Sequence, residues 1–522
     1  MVTFAILFTM TAAWSLATPL MAAPDEPAQV IKAAAVARGE FLGDPLPRTS
    51  HGPNPTVTVW VPEALASTSR AFQCYEFRPD TPASCAPPIR GSTRLVSART
   101  YAGRYPPLYY AVVGLPSLAL PSSAGVRLMR LVSALLCCIF LATAFESAAR
   151  WRRPRLGVLA VAVATTPMVV FLAGVVNPNS LEIATALCLW SSGIALLRGD
   201  EVPARGLIAW VGISATVLVE MRGISPLWLL LIALSLLAVA TRSRLRQILA
   251  QRTTWIWIAV VGASTAFSLW WLARYDSLTV LATGRPAPRM SVVNVIETGF
   301  GQTDMLMRQM IGWVGWLDTP PPAATYYLWM AVIAVPLAAG FAFGARRRAA
   351  ALAVVTLAVV VVPVAIDVHV APTLGFGWQG RYTLPLAVGI PVLSAYAVSS
   401  GRILSLQRIP SSVGRRPMSL AVGALVVAQG AMFLLALRRY TVGLKGPLDL
   451  FSGSWQPPLG AVGVTVLFLA ALLVYGWWLV VAGGTGGAVG KTSQATHGHR
   501  TSIVEPARIQ SAGLAELSVP GG

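Results

Sequence analysis

Charge is scarce in this chain. Acidic residues number 20 and basic residues 40 in 522, and charged residues together make up 11%, where a soluble globular domain carries about 25%. An ordinary soluble enzyme is therefore excluded. Histidine occurs four times, and no Cys/His spacing suits zinc. A Walker A loop and a dinucleotide-binding glycine pattern are both absent, so nucleotide-driven chemistry has no support in the sequence. Of the five cysteines, Cys137, Cys138 and Cys188 lie inside apolar runs as packing residues. Cys74 and Cys85 lie in a long polar loop with no His or third Cys nearby. If that loop is extracytoplasmic, they are a candidate disulfide.

Hydrophobic residues fill 55% of the chain, at a mean hydropathy of +0.65. At about 20 residues per span there is room for roughly a dozen helices and one sizeable extramembrane segment. The net charge of +20 sits mostly in short arginine clusters between apolar runs, which is how cytoplasmic loops are marked. It reads as topology, with anionic lipid or lipid-phosphate as partner, and not as a nucleic-acid interface.

The first apolar run, about residues 3–22, has no basic segment before it and is as long as a full span. We read it as a retained helix with the N-terminus inside, while the small residues at its end leave signal-peptide cleavage open. Residues 24–104 are polar and rich in Pro and Arg. The stretch 105–120 is interrupted by Pro116 and followed by Pro121, so it reads as a helix lying on the membrane surface. Charge supports this: with 105–120 flat and 126–148 spanning, the cluster Arg150, Arg152, Arg153 and Arg155 falls inside. Further spans near 156–176, 179–198, 206–222, 224–241, 254–273, 324–344, 349–366, 383–400, 418–437 and 460–482 keep most later arginine clusters there too. The expectation is an all-α polytopic protein of the plasma membrane with about 12 transmembrane helices over residues 1–482. It has a large first extracytoplasmic loop at about 24–125, a disordered tail at 483–522, and both termini cytoplasmic.

That topology gathers polar groups on the outer face. Pro24-Asp25-Glu26-Pro27 follows the first apolar run, two acids on a backbone stiffened by prolines. Asn177-Pro178-Asn179, with Glu182 after it, occupies a tight turn and reads equally as a helix cap. Glu220 and Arg222 end a span; two apart on a helix, they do not face each other, and each needs its own partner. Asp304 and Asp318 share a loop with Trp313 and Trp316, which read as interfacial anchors. The loop after 349–366 adds Asp367, His369 and Trp378-Gln379-Gly380-Arg381-Tyr382. With no comparable set on the cytoplasmic side, the chemistry points to a substrate that the membrane itself carries, a lipid-linked donor.

In order and spacing these motifs resemble the DUF2142 family of bacterial, largely actinobacterial, multi-pass proteins, which looks like a branch of the GT-C glycosyltransferase superfamily. The resemblance rests on Pro24-Asp25-Glu26-Pro27-Ala28 with Lys32-Ala33, and on Tyr105-Pro106-Pro107-Leu108-Tyr109-Tyr110. It rests further on Asn177-Pro178 running into Leu181-Glu182-Ile183-Ala184, on Arg222 with Ser225-Pro226-Leu227-Trp228, and on Gln379-Gly380-Arg381-Tyr382-Thr383-Leu384-Pro385. Gln29 departs from the family's first motif, where His is expected. The resemblance implies a GT-C-like fold with juxtamembrane helices in the first loop. It implies transfer, with inversion, from a polyprenyl-phosphate sugar to a glycan or protein acceptor of the cell envelope. Asp25 is then the general base, and Glu26 either fills that role instead or holds a cation or a sugar hydroxyl. Arg222 and Arg381 neutralise the leaving phosphate, and Trp378 and Tyr382 stack on sugar or prenyl chain. Lys32, Tyr105, Asn177, Asn179, Glu182 and Gln379 are further substrate-binding candidates. No cofactor is implied beyond a candidate divalent cation. Two other readings stay open: a transporter or flippase of lipid-linked sugars, and a non-catalytic envelope-binding protein. The transporter predicts paired broken helices in two repeated halves, and no such repeat is evident.

Overall fold

Proline and polar punctuation decide where the apolar runs of this chain break into separate helices. The computed structural model describes residues 1–47, 56–198, 203–278, 290–399 and 411–485, and Met1–Gly484 form one compact unit. The tail expected at 483–522 lies outside the described residues from 486 onward.

The chain opens with α1 (Val2–Ala17), turns a corner and enters α2 (Glu26–Ala37). The polar loop then builds a small antiparallel sheet, ordered β1-β2-β3, from β1 (Asp44–Pro45), β2 (Val57–Pro62) and β3 (Leu95–Thr100). The expected all-α architecture therefore holds for the bundle and not for this loop domain. The strand signal is local: in β2, Val57, Val59 and Val61 are buried while Trp60 stands exposed, the period of two that a half-buried strand requires. The helix α3 (Glu63–Ala66) follows β2. Cys74 and Cys85 are bonded, with Cα atoms 6.1 Å apart; closing so short a loop is worth about 3 kcal/mol. Within 105–120 lie α4 (Leu108–Val113) and α5 (Pro116–Ala119). Six and four residues are too short to cross a membrane, and their surface is split, with Tyr109 and Tyr110 buried and Leu115 and Leu118 exposed.

The bundle continues through α6 (Ser123–Ala149), α7 (Pro154–Ala164) and α8 (Pro167–Ala173). The last two, expected as one span, meet at 66°. Pro167 supplies no N–H and holds Thr166 out of helical geometry, and the Thr166 hydroxyl accepts from Val169 N to cap α8. Next come α9 (Pro178–Arg198), α10 (Arg205–Val219), α11 (Ser225–Val239) and, turned by 119° from it, the basic helix α12 (Arg242–Leu249). The remainder is α13 (Arg252–Tyr275), α14 (Val292–Gly301), α15 (Thr303–Gly312), α16 (Ala323–Phe343), α17 (Arg346–Leu374), α18 (Gly380–Ala387), α19 (Gly389–Val398), α20 (Ser411–Thr441) and α21 (Gly460–Thr485).

Among the described residues eight helices are long and apolar enough to cross a membrane, or up to ten if each bent pair is one span. The expected twelve is not reached because α1 and α10 have 16 and 15 residues. At 1.5 Å per residue they extend about 22–24 Å, against a hydrocarbon core about 30 Å thick. A second correction concerns α17, whose 29 residues run past 366; Asp367 and His369 lie inside a helix and not in the loop after it.

Two contacts join these parts. The Trp14 ring of α1 packs edge-on against Phe171, Phe433 and Phe468, at centroid distances of 5.7, 5.2 and 6.1 Å, which ties α1 to α8, α20 and α21. Fully buried Arg439 of α20 donates to the backbone oxygens of Tyr75, Arg78 and Thr81 and to Asp318 Oδ2 at 2.7–3.1 Å. One guanidinium thus fastens the disulfide segment to the end of the bundle.

Candidate functional site

The corner between α1 and α2 is where the prolines and acids of the first motif act. Pro27 sits in the first turn of α2, where its missing N–H costs nothing. Asp25, the N-cap, and Met21 both adopt left-handed backbone, with φ of 66° and 67°. Each such non-glycine residue costs about 1–3 kcal/mol unless its surroundings hold it. Here they do: Tyr75 OH donates to Leu20 O, Trp316 Nε1 to Met21 O, Tyr440 OH to Ala22 O and Asn177 Nδ2 to Pro24 O, all at 3.0–3.1 Å. Trp316, expected as an interfacial anchor, is a support of this corner.

The two neighbouring acids have opposite environments. Glu26 is fully buried; Arg130 Nε and Nη2 each donate to it at 2.6 Å, and the backbone N–H groups of Val176 and Met21 add bonds of 3.2 and 3.0 Å. Arg130 spends its other donors on Ser15 O, Thr18 O and Pro19 O. Glu26 has no surface open to a ligand, so a role as base or cation holder finds no geometry here. Asp25 keeps 26% of its side chain exposed. Its Oδ1 accepts from Tyr101 OH at 2.6 Å and its Oδ2 from Arg381 Nη2. Burial first, and then the Asp25 charge, push the Tyr101 phenol well above its usual range, so it stays a proton donor to Asp25.

Arg381 arrives from the other end of the sequence. Gly380 lets α18 press against α15: a Cβ there would lie 2.3 Å from Leu306 O, and Gly380 N donates to Gln309 Oε1 at 2.7 Å. Arg381 also donates to Tyr382 OH at 3.2 Å, and its Nε and Nη1 have no hydrogen-bond partner although buried. Arg222 shares Tyr382 with Arg381, its guanidinium 4.3 Å from that ring and 5.7 Å from the Tyr105 ring. Its Nη1 is buried, without a hydrogen-bond partner and 3.9 Å from Glu182 Oε2. Glu182 is held by Ser225 Oγ at 2.6 Å and Asn179 Nδ2 at 3.0 Å. Trp378 meets Tyr382 edge-on at 5.7 Å and donates through Nε1 to Thr383 Oγ1, while Gln379 Oε1 is buried without a partner.

Asp25, Tyr105, Arg222, Arg381, Tyr382, Trp378 and Gln379 thus come together. Lys32 does not join them as a ligand: it is buried, and its Nζ donates to Phe41 O and Gly103 O, bracing the loop. Asn177, Asn179 and Glu182 stand behind the site: Asn177 holds Pro24, Glu182 faces Arg222, and Asn179 holds Glu182. Gln29, which departs from the resemblance, is buried and accepts from Tyr110 OH. Glu220 accepts from Ser264 Oγ, Asp304 pairs with Arg308, and Asp318 with Arg439, all outside the cluster. Sequence reasoning missed Tyr101 and Arg130. Two arginines, Arg127 and Arg130, inside the otherwise apolar first turns of α6 are a signal that could have flagged Arg130; Tyr101 carries none.

Among the described residues no group of three or more His, Cys, Asp or Glu could hold a metal ion. The helix that carries Arg381 also borders an apolar cavity of about 130 Å³, lined among others by Val163, Thr166, Met310, Ile333, Leu384 and Pro391. Leu384 lies on α18, one turn after Arg381, so one short helix carries a cationic first turn and an apolar wall.

The chain matches the family described as "Predicted membrane protein (DUF2142)" over residues 8–390. No curated protein matches it. Among solved structures it is similar to ArnT from Cupriavidus metallidurans bound to undecaprenyl phosphate, with a TM-score of 0.41 and 14% identity over 94% of this chain and 78% of that one. The apo state of ArnT gives 0.40 and 14%, over 92% and 77%. The arabinofuranosyltransferase AftD from Mycobacteria gives 0.37 and 15%, over 84% of this chain and 27% of that one. Scores of this size assign no activity. The family match spans most of the chain and takes in the α1–α2 corner, Arg222 and Arg381; the chain belongs to the DUF2142 family of membrane proteins.

Proposed function

We propose that this protein is a membrane-embedded glycosyltransferase that moves a sugar from a polyprenyl-phosphate donor to a cell-envelope acceptor on the extracytoplasmic face. The observation that carries the reading is the pairing of one partly open carboxylate, Asp25, with two buried guanidinium groups that keep unused donors. A buried arginine with free N–H groups is costly unless an anion completes it. A phosphate ester is the anion whose geometry suits two arginines. The apolar cavity on the same helix suits the first units of a prenyl chain. The Cys74–Cys85 bond supports placing the loop domain in an oxidising compartment.

In the reaction Asp25 takes the proton of the acceptor hydroxyl as its oxygen attacks the anomeric carbon. The bond from that carbon to the phosphate oxygen breaks, and the electron pair leaves with the lipid phosphate. Arg222 and Arg381 receive the developing charge. Attack opposite the leaving group inverts the anomeric centre. Tyr101 holds Asp25 in place, and Glu26 serves the corner through Arg130.

The test is transfer of radiolabelled sugar from polyprenyl-phosphate donors into envelope polymers by membranes carrying wild-type or Asp25→Asn protein. Loss of a general base lowers rates by about 10²–10⁴-fold. That loss, at equal protein level, supports the enzyme. Absence of transfer by the wild type across donors would turn the reading to transport or binding.

A further inference from the structure

The loop domain carries a second concave surface. A groove of about 610 Å³ runs between the segment from α3 to Arg70 and the strand β3, within the usual range of small-ligand clefts, about 300–1,000 Å³. Glu63, Ser67, Ser69 and Arg70 line one wall, and Ser97 and Arg99 the other, with Ala66 and Ala98 as its apolar lining residues. That lining does not suit a lipid chain. The electrostatics are one-sided. Glu63 is occupied, since Arg94 Nη2 and Nε donate to its two oxygens at 2.5 and 3.2 Å and Ser92 Oγ adds 3.1 Å. Arg70 and Arg99 are exposed and make no ion pair among the described residues. The Ser67 and Ser69 hydroxyls donate to Ala64 O and Ala66 O, which leaves their lone pairs to accept from a ligand's hydroxyls.

The groove is connected to the catalytic corner. β3 passes directly into Tyr101, whose phenol holds Asp25. Along an extended strand Arg99 precedes Tyr101 by about 7 Å and Ser97 by about 13 Å, a reach of a few sugar units. β3 is also an edge strand, paired with β2 alone, so nothing in the sheet covers its groove side.

We infer that the groove between α3 and β3 binds the acceptor, and that the acceptor is a saccharide bearing anionic groups, carboxylate or phosphate, which Arg70 and Arg99 recognise. The inference rests on the transfer reaction proposed above for the role of the ligand, but its binding test does not need turnover. Full-length Asp25→Asn protein in nanodiscs is titrated with three labelled probes: an oligogalacturonate, a glycan phosphodiester and a neutral maltooligosaccharide. Binding of an anionic probe that weakens with salt, and weakens about tenfold or more in Arg70→Gln/Arg99→Gln, supports the groove. Uronate or phosphate preference identifies the anion. Equal binding of the neutral probe, or anionic binding unchanged in the double variant, overturns it. Binding intact in a protein whose wild type never transfers sugar would leave the groove standing and remove the enzyme reading. Transfer intact in the double variant would do the reverse.

Discussion

At the scale of single residues, adjacent acids have been given separate tasks by burial. Asp25 stays partly open on a strained backbone; Glu26 disappears into a bidentate bond with Arg130. Breaking a buried pair by neutralising one partner costs about 3–5 kcal/mol, because the other charge is left stranded. Glu26→Gln should therefore lower the melting temperature in detergent markedly, and more than Asp25→Asn, because Asp25 is partly open to solvent while Glu26 and Arg130 are both sealed from it. Equal melting of the two variants would refute this division. Lys32 makes a pH prediction. Burial pushes its ammonium down from 10.5 to about 7, and Glu40 pulls weakly the other way. Between those values the unfolded chain holds the extra proton, so this group's contribution to stability rises with pH across the window and is lowest below pH 7. Melting followed from pH 7 to about 10 should rise more in wild type than in Lys32→Met; parallel curves would mean that Lys32 stays charged when folded.

At the scale of elements, α18 matters most. Its first turn carries Arg381 and its second lines the apolar cavity. Filling that cavity from the opposite wall with Ile333→Trp should raise the donor KM severalfold with little change in kcat, since it removes binding that ground state and transition state share. A fall in kcat alone would detach the cavity from the donor. The elements also show how far pattern reading reaches. The alternating valines of β2 carry a strand signal on their face, which the expectation of juxtamembrane helices in the first loop did not include. The break at Pro167 lies inside a run that hydropathy reads as continuous, because hydropathy does not register a missing N–H.

At the scale of the whole molecule, the proposed orientation places the loop domain outside and the arginine cluster after α6 inside. Arg70→Cys should react with a membrane-impermeant maleimide on intact cells, and Arg152→Cys only after permeabilisation; the reverse labelling would invert the topology and end the extracytoplasmic reading. What the amino-acid sequence determined by itself was the membrane class, most helix positions and the short motifs with Asp25, Arg222 and Arg381. Each of these depends on local composition or on a few contiguous residues. Tertiary structure alone decided which motif residues are chemical and which are mechanical. Asp25 meets Arg381 across more than three hundred residues, Glu26 meets Arg130, and Lys32 turns to Phe41 and Gly103. Burial and partner choice are set by where distant helices pack, and a carboxylate in the sequence has the same symbol whether it ends up partly open, as Asp25 does, or sealed from solvent, as Glu26 does.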